Sequence, residues 1–185
     1  LGPLLAGASL AKALGWATKT PTIEVNHLEA HIYSPMMTEN DLKPPFISLL
    51  VSGGHTILSN VGQNFSIETL GSTLDDSAGE CFDKIARKLG LGYPGGPEIA
   101  KRSMLSDNNS YVFPRPMIKN NNYNFSFSGL KTHIINLVQN QKLSEEDINN
   151  VSAELQDAIV EVLIKKSLKA AKDLNVRNIV VTGGV

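Results

Sequence analysis

Cysteine, excess charge of one sign and long apolar runs are all scarce in this 185-residue sequence. Cys81 is the only cysteine, which excludes a disulfide-stapled scaffold and a cysteine-based zinc site, and indicates a reducing compartment. Lys and Arg number 17 and Asp and Glu number 18, so the net charge of -1 excludes a basic coat for nucleic acid, although not a local patch. No apolar run approaches the ~20 residues of a membrane span, and the apolar opening lacks the charged leader of a signal peptide.

The residues that are present have the composition of a folded protein. Hydrophobic residues make up 42% and charged residues 19% of the chain, which excludes a disordered or low-complexity protein. The sequence begins with Leu1 instead of methionine and stops at Val185, directly after an apolar strand pattern and two glycines. We therefore expect a fragment of a longer protein, cut at both ends.

Strand and helix patterns alternate along the chain, which predicts an α/β protein. Phe46–Val51 is a continuous apolar run, typical of a strand buried on both faces, and Thr56–Val61 returns as the second strand of a hairpin. Further strands are predicted at Thr22–Val25, Ser66–Leu70 and Asn178–Val181, the last of them buried on both faces like Phe46–Val51. Helices are predicted over Leu4–Trp16, from an Asn26 cap through His27 to Met36 with a break at Pro35, from a Ser72 or Thr73 cap to Gly90, and in a segment with Pro97 in its first turn. Two more are predicted, from a Ser128 cap to about Gln139 and from a Ser144 cap onwards. A polar, proline-bearing linker separates a predicted first domain, residues 1–43, from a second, residues 46–185.

The first candidate site is the pair His27 and His31. Side chains four residues apart lie one above the other on a helix, so both imidazoles can meet one metal ion if a third ligand comes from elsewhere. The alternative is two histidines on a helix surface. Glu29, between them, points to the opposite side of the helix at ~100° per residue, which argues against a metallopeptidase.

Two glycine-rich segments form the second candidate site. In Ser52-Gly53-Gly54-His55-Thr56, backbone N–H groups between two strands can line an anion, although the same residues also suit an ordinary hairpin turn. In Gly95-Gly96-Pro97, glycines before a helix give room for a nucleoside or phosphate, or simply make a tight connection.

An acidic helix is the third candidate. Asp83 could hold a ribose hydroxyl or a substrate amine, and Asp76 and Glu80 share its polar face. The alternative interpretation places Asp75 and Asp76 in the first turn for their interaction with the helix dipole, and pairs Asp83 with Arg87. Cys81, on the apolar side of the same helix, is predicted to be a core residue and not a nucleophile. A solvated helix face is predicted for four lysines, Lys165, Lys166, Lys169 and Lys172.

None of these motifs is specific alone, but their order is. The succession runs through Asn26-His27-Leu28-Glu29-Ala30-His31, Leu49-Leu50-Val51-Ser52-Gly53-Gly54-His55-Thr56, Asp75-Asp76-Ser77-Ala78-Gly79-Glu80-Cys81-Phe82-Asp83-Lys84, Gly92-Tyr93-Pro94-Gly95-Gly96-Pro97, Phe113-Pro114-Arg115-Pro116-Met117, Phe125-Ser126-Phe127-Ser128-Gly129-Leu130-Lys131-Thr132 and Val181-Thr182-Gly183-Gly184-Val185. Over nearly the whole chain this succession closely resembles the TsaD family, the tRNA N6-adenosine threonylcarbamoyltransferases.

The resemblance implies an actin-like ATPase fold of two related α/β lobes with the ligand between them, incomplete in this chain. It implies transfer of a threonylcarbamoyl group from threonylcarbamoyl-AMP to N6 of adenosine 37 in tRNAs that read codons beginning with A. It also implies one divalent metal ion, iron in preference to zinc, held by His27 and His31 with a third ligand outside this chain. The implied substrate site comprises Leu50, Val51, Ser52, Gly53, Gly54, Asp83 and Gly96. We expect Ser52, Gly53, Gly54, Asp83 and Gly96 to line one pocket.

The partners that the resemblance implies are tRNA, threonylcarbamoyl-AMP, a related paralogue subunit and a small ATPase subunit, with no membrane. The implied compartment is the cytoplasm, or the mitochondrion in a eukaryote. Three family features are missing: the acidic phosphate loop before Leu1, the asparagine that follows the Gly-Gly-Val segment, and the aspartate that completes the metal site. We therefore predict that residues 1–185 alone are inactive. The alternative is a non-catalytic relative that serves as a binding partner, although such a protein has no need of His27 and His31. A sugar kinase likewise has no use for this histidine pair.

Overall fold

Contacts within the chain divide it into two units, Leu1–Ala30 and His31–Val185. The structure is a computed structural model that describes residues 2–39, 41–106, 110–139 and 141–185. The unit boundary differs from the predicted domain boundary at residues 43 to 46. Residues 31–42 belong with the second unit because Ile32, Met36 and Leu42 pack against Phe46 and Val61 of its sheet.

The first unit contains helix α1, Gly2–Thr18, which has no buried residue. This helix confirms the predicted one and extends it by two residues at each end. The predicted strand Thr22–Val25 is wrong: these residues have no regular secondary structure, and Ile23 is 90% exposed. A strand needs a hydrogen-bonded neighbour, and no described segment of this unit supplies one. An ion pair of 2.8 Å between Lys12 and Glu24 ties the segment to α1.

Helix α2, His27–Tyr33, follows, and the unit boundary falls inside it between Ala30 and His31. The predicted cap is confirmed, since Oδ1 of Asn26 accepts the N–H of Leu28 at 2.9 Å. A short 3-10 helix, Ser34–Met37, continues the chain with Pro35 in its first turn, so the predicted interruption is confirmed as well.

A four-stranded sheet forms the centre of the second unit. Its strands are β1, Phe46–Val51; β2, Thr56–Val61; β3, Ile67–Ser72; and β4, Ile179–Thr182. The order is β3-β2-β1-β4, with antiparallel pairs between β1 and β2 and between β2 and β3, and a parallel pair between β1 and β4. All six residues of β1 are buried, as its apolar run predicts. The predicted burial of β4 on both faces is wrong: Val181 is 68% exposed, and the other three residues of the strand are half-buried. Among the described strands, β4 lies at the edge of the sheet beside β1.

Four helices complete this unit: α3, Ala78–Lys88; α4, Gly95–Ser103; α5, Ser128–Gln139; and α6, Glu145–Asp173. They share a core with the sheet face that carries Ile47, Leu49 and Val51. The predicted start of α6 is confirmed by a capping box in which Ser144 and Asp147 bond each other's backbone N–H groups. Strands and helices mix in one core, so the predicted α/β class is confirmed.

The starts of α3 and α5 differ from the prediction, and in α5 the predicted cap Ser128 is itself the first helical residue. Helix α3 begins after Ser77, whose hydroxyl accepts the N–H of Glu80 at 3.1 Å, and not after Ser72 or Thr73. Backbone bonds keep the preceding residues with the sheet: the N–H of Thr73 reaches Thr56, and that of Leu74 reaches Phe125. Asp75 and Asp76 therefore precede the helix.

Lys166 is the exception among the four lysines predicted to be solvated. Its side chain is 1% exposed, and Nζ donates a hydrogen bond of 2.7 Å to the carbonyl of Asn122. Burial, and secondarily the charge of Lys169, lowers the pKa of this ammonium group. The prediction fails because Val162, Lys166 and Ala170 follow one another at four-residue spacing on the buried face of α6.

Candidate functional site

The first part of the candidate site is the turn between β1 and β2. The N–H of Ser52 donates to the carbonyl of His55 at 2.8 Å, and the N–H of His55 donates to the Ser52 hydroxyl at 3.0 Å. A Cβ atom at Gly53 or Gly54 would meet nothing within 4 Å, so both glycines face open space. The turn therefore leaves the backbone at Gly53 and Gly54 accessible to a ligand.

The start of α3 is fastened to this turn. The Ser77 hydroxyl donates to the carbonyl of Gly53 at 2.7 Å, while Thr56 Oγ1 accepts the N–H of Ala78 at 2.9 Å. Gly79 lies so close that a Cβ atom would stand 2.7 Å from the Ser52 carbonyl oxygen, a distance that side chains do not tolerate. The close approach of these two backbones thus requires a glycine at position 79, in the first turn of α3.

Asp83 joins α3 to the start of α4. Its Oδ1 accepts the N–H of Gly95 at 2.7 Å, which satisfies one of the backbone donors that a helix start leaves open. The alternative pairing of Asp83 with Arg87 is not among the ion pairs of the described residues. The backbone of Gly95 lies close to that of α3, since a Cβ atom at Gly95 would stand 2.6 Å from Cα of Asp83.

These elements enclose a cavity of about 200 Å³ in the second unit. Three predicted site residues from separate parts of the sequence line it together: Gly53, Asp83 and Gly96. The other lining residues are Gly79, Tyr93, Pro94, Pro97, Gly184 and Val185. Four of these nine lining residues are glycines, while Asp83 contributes a carboxylate and Tyr93 an aromatic ring.

Comparison with known proteins decides the family. The family model for TsaD, described as tRNA N6-adenosine threonylcarbamoyltransferase, matches residues 1–185. The chain belongs to the TsaD family. Membership assigns it the actin-like ATPase fold, of which these residues form a part. The resemblance predicted from the order of motifs is confirmed.

Curated relatives of this TsaD-family chain carry the same description. The tRNA N6-adenosine threonylcarbamoyltransferase of Thermosipho africanus is 52% identical over 185 residues, which are 100% of this chain and 56% of that protein. The protein of that name from Thermotoga neapolitana is 48% identical over 185 residues, with 100% and 56% covered. The one from Buchnera aphidicola is 46% identical over 187 residues, with 100% and 55% covered. The chain thus spans little more than half the length of these relatives.

Not every predicted site residue of the TsaD family lines the cavity. Leu50 and Val51 are buried in β1, at 1% and 5% exposure, and Val51 instead borders an apolar groove of about 450 Å³ between α4 and α6. The hydroxyl of Ser52 is engaged within its own turn, and Gly54 is not among the residues that line the cavity. Alternation along the strand and the closing of the turn explain the difference, because neighbouring residues then face different directions.

Sequence reasoning missed Gly79 and Tyr93 as lining residues. A glycine inside a predicted helix is a sign of close backbone approach, so Gly79 could have been found. Tyr93 carried no such sign, because its place at the cavity depends on how the loop before α4 folds against α3.

The histidine pair lies in α2, where His27 is the first residue and His31 the fifth. In the second unit, the hydroxyl of Thr182 donates to the backbone carbonyl of His31 at 3.0 Å. Within the described residues there is no group of three or more His, Cys, Asp or Glu side chains arranged to hold a metal ion. Imidazole nitrogens are ligands that suit iron or zinc, and the metal site stays a prediction.

Cys81 is a core residue, as predicted. It has no exposed surface, and burial raises the pKa of its thiol to about 12. A thiol with that pKa stays protonated at neutral pH and is not a nucleophile.

Asp75 and Asp76 connect the segment before α3 to α3 and α5. Asp75 receives four hydrogen bonds from Ser126, Phe127 and Ser128, so it caps the start of α5 from a distance in sequence. Asp76 forms ion pairs with Lys84 at 2.9 Å and Lys131 at 2.5 Å. Burial alone would raise the pKa of Asp76, but the two ammonium groups outweigh it and hold that pKa below its ordinary range. Both carboxylates are therefore structural anions at neutral pH.

None of the described helices combines the length and the apolar character that crossing a membrane requires.

Proposed function

We propose that a protein which carries this chain transfers the threonylcarbamoyl group of threonylcarbamoyl-AMP to N6 of adenosine 37 in tRNAs that read codons beginning with A. The observation that carries the proposal is the meeting of Gly53, Asp83 and Gly96 in one cavity. These residues are up to 43 positions apart, from 53 to 96, and match the substrate residues that the family resemblance implies.

Asp83 is the group that would bind the nucleoside part of the donor. Its Oδ1 is engaged with the N–H of Gly95, whereas Oδ2 has no hydrogen-bond partner among the described residues. A carboxylate oxygen beside a cavity accepts hydrogen bonds from ribose hydroxyls, and bonds to a charged acceptor are stronger than neutral ones. Asp83 thus has one oxygen for the fold and one for the ligand.

The backbone of the β1–β2 turn would bind the phosphate. Gly53 and Gly54 have no side chains and face open space, so their N–H groups can approach an anion closely. The start of α3 is fastened to the same turn through Ser77, and its N-terminal partial charge favours an anion there.

The chemistry requires placement more than activation. The donor is a mixed anhydride: the adenosine N6 atom forms a bond to the carbamoyl carbon, the bond from that carbon to the phosphate oxygen breaks, AMP leaves, and N6 loses a proton. Because AMP is a good leaving group, holding the donor against a weakly nucleophilic amine contributes most of the acceleration. The buried, protonated Cys81 takes no part in this step.

A divalent metal ion, iron in preference to zinc, would be held by His27 and His31 with a third ligand from outside this chain. When bound, it would stabilise charge that develops on the oxygens of the donor. The wider proposal includes tRNA, a paralogue subunit and a small ATPase subunit as partners, and the cytoplasm as the compartment.

The test uses a protein that carries these 185 residues within the full length of its relatives, named the full-length protein below. It is incubated with threonylcarbamoyl-AMP and tRNA, together with its partner subunits, and the modified adenosine is measured by mass spectrometry of digested tRNA. Asp83→Asn keeps an oxygen for the N–H of Gly95 but loses the charge, so we expect the dissociation constant of the adenylate to rise about tenfold or more.

Glu68→Gln is the matched control, since Glu68 is an exposed carboxylate of β3 away from the cavity. Unchanged affinity in Asp83→Asn would contradict the assignment of the binding site. No modified adenosine from the unaltered full-length protein would contradict the proposed activity and favour a non-catalytic relative.

A further inference from the structure

Tyr93 is an aromatic residue whose side chain is left out of the core. It is 79% exposed, whereas four of the six phenylalanines, Phe46, Phe113, Phe125 and Phe127, are 3% exposed or less. The described residues provide no hydrogen-bond partner for its hydroxyl. The ring is exposed and also lines the cavity, so its π face can contact a ligand there.

The cavity beside Tyr93 has a simple chemical composition. Four glycines, at positions 53, 79, 96 and 184, contribute backbone, and Asp83 contributes the one charged side chain. Its volume of about 200 Å³ is below the ~300–1,000 Å³ of pockets that enclose a whole small molecule. The cavity therefore fits part of a ligand, with the rest of that ligand at its open side.

The loop before α4 places Tyr93 at the cavity that Asp83 also lines. The N–H of Leu91 donates to the carbonyl of Ala86 at 2.9 Å, which fastens the loop to the end of α3. Two residues after Tyr93, Gly95 donates its N–H to Asp83. The segment from Leu91 to Gly95 is thus attached at both ends to α3, and the Tyr93 ring and the carboxylate of Asp83 belong to the wall of one cavity.

We propose that Tyr93 is the residue that stacks on the base of the bound adenylate while Asp83 binds its ribose. This inference rests on the proposed function, because it assigns one more part of the same ligand. A nucleoside offers a diol and a flat aromatic face, and the site offers a carboxylate oxygen and a phenol ring. Stacking uses the π face of the ring, so it does not need the hydroxyl group.

Tyr93 acts on affinity and not on the reacting atoms. The base lies at the far end of the donor from the carbamoyl carbon, so loss of stacking weakens the ground state and the transition state equally. In transfer assays, Tyr93→Ala should raise KM for the adenylate and leave kcat within about twofold.

The decisive experiment compares two ligands on the unaltered protein and three variants. AMP and ribose 5-phosphate are titrated by calorimetry into the full-length protein, its Tyr93→Ala variant and its Tyr93→Phe variant. We expect Tyr93→Ala to weaken AMP about 5- to 100-fold and ribose 5-phosphate less than about twofold, whereas Tyr93→Phe binds both ligands normally. Met104→Ala, at another exposed apolar residue just after α4, should bind both ligands normally.

The same titrations can overturn the proposal. If Tyr93→Ala weakens both ligands equally, Tyr93 supports the site without touching the base. If it weakens neither, or if the unaltered protein does not prefer AMP to ribose 5-phosphate, there is no stacking on this ring. AMP binding is measured independently of the transfer reaction. If the unaltered protein forms modified adenosine but Tyr93→Ala binds AMP normally, this inference alone is overturned. If Tyr93→Ala loses affinity for AMP as expected but the unaltered protein forms no modified adenosine, only the proposed activity is overturned.

Discussion

At the scale of single residues, Gly183 is the position least able to accept a side chain. Its φ of 119° lies in a region that residues with a Cβ atom rarely adopt, and a Cβ atom there would overlap the carbonyl oxygen of Val51. This close approach brings the end of β4 beside the end of β1, next to the cavity.

We predict that Gly183→Ala lowers the free energy of unfolding of the full-length protein by about 3 kcal/mol, because it combines backbone strain with a steric overlap. Denaturant unfolding measures the effect. Gly184→Ala is the matched control, since a Cβ atom at Gly184 meets nothing within 4 Å and its φ is not positive. An equal loss of unfolding free energy in both variants would show that the steric overlap at Gly183 does not cause the destabilisation.

At the scale of elements, the start of α5 depends on a residue that is 53 positions earlier in the sequence. Ser128 was predicted to cap this helix, but it is the first helical residue, and its hydroxyl donates to Asp75 at 2.7 Å. The N–H groups of Phe127 and Ser128 also donate to Asp75, at 2.8 and 3.2 Å. The loop before α3 therefore supplies the cap of α5.

We predict that Asp75→Ala speeds hydrogen exchange of the Phe127 and Ser128 amides and lowers the free energy of unfolding by about 1–2 kcal/mol. Asp75→Asn keeps an oxygen acceptor, so its effect should be smaller. Ser144→Ala, which removes the local cap of α6, should speed exchange at the start of α6 and leave α5 unchanged. Unaltered exchange at Phe127 in Asp75→Ala would argue that α5 is held by packing alone.

At the scale of the whole molecule, Asp76 connects segments that are distant in sequence. Its carboxylate lies between Lys84 of α3 and Lys131 of α5, and its side chain is 12% exposed. Because the folded state lowers the pKa of this group, ionised Asp76 contributes stability above its unfolded pKa of about 4, and that contribution is lost as the pH falls through the lowered value.

We predict that Asp76→Asn lowers the free energy of unfolding by about 1–3 kcal/mol at pH 7, since two ammonium groups lose their partner. The difference from the unaltered protein should shrink as the pH falls below about 4. Glu98→Gln, which breaks an exposed pair with Lys101 of 2.6 Å, should cost less than about 0.5 kcal/mol at pH 7. A pH-independent difference for Asp76→Asn would show that its charge is not the cause.

The features that the sequence by itself determined are local ones. The continuous apolar run of β1, the capping box of Ser144 and Asp147, and the end of α3 at Gly90, with a φ of 75°, each follow from neighbouring residues. The order of short motifs also identified the family, because that order can be read directly from the sequence. These predictions succeeded since hydrogen bonds and packing at such points involve residues within a few positions of one another.

The tertiary structure alone decided which residues share a cavity and which polar groups find partners. Nothing near Asp75 in the sequence indicates that it caps α5, and nothing near Lys166 indicates that the carbonyl of Asn122 accepts its hydrogen bond. The strand predicted at Thr22–Val25 failed for the same reason, because a strand exists only where a neighbour bonds it. Gly53, Asp83 and Tyr93 likewise meet only after α3 and α4 pack against the end of the sheet. Burial and long-range pairing are properties of the assembled chain, so local patterns do not contain them.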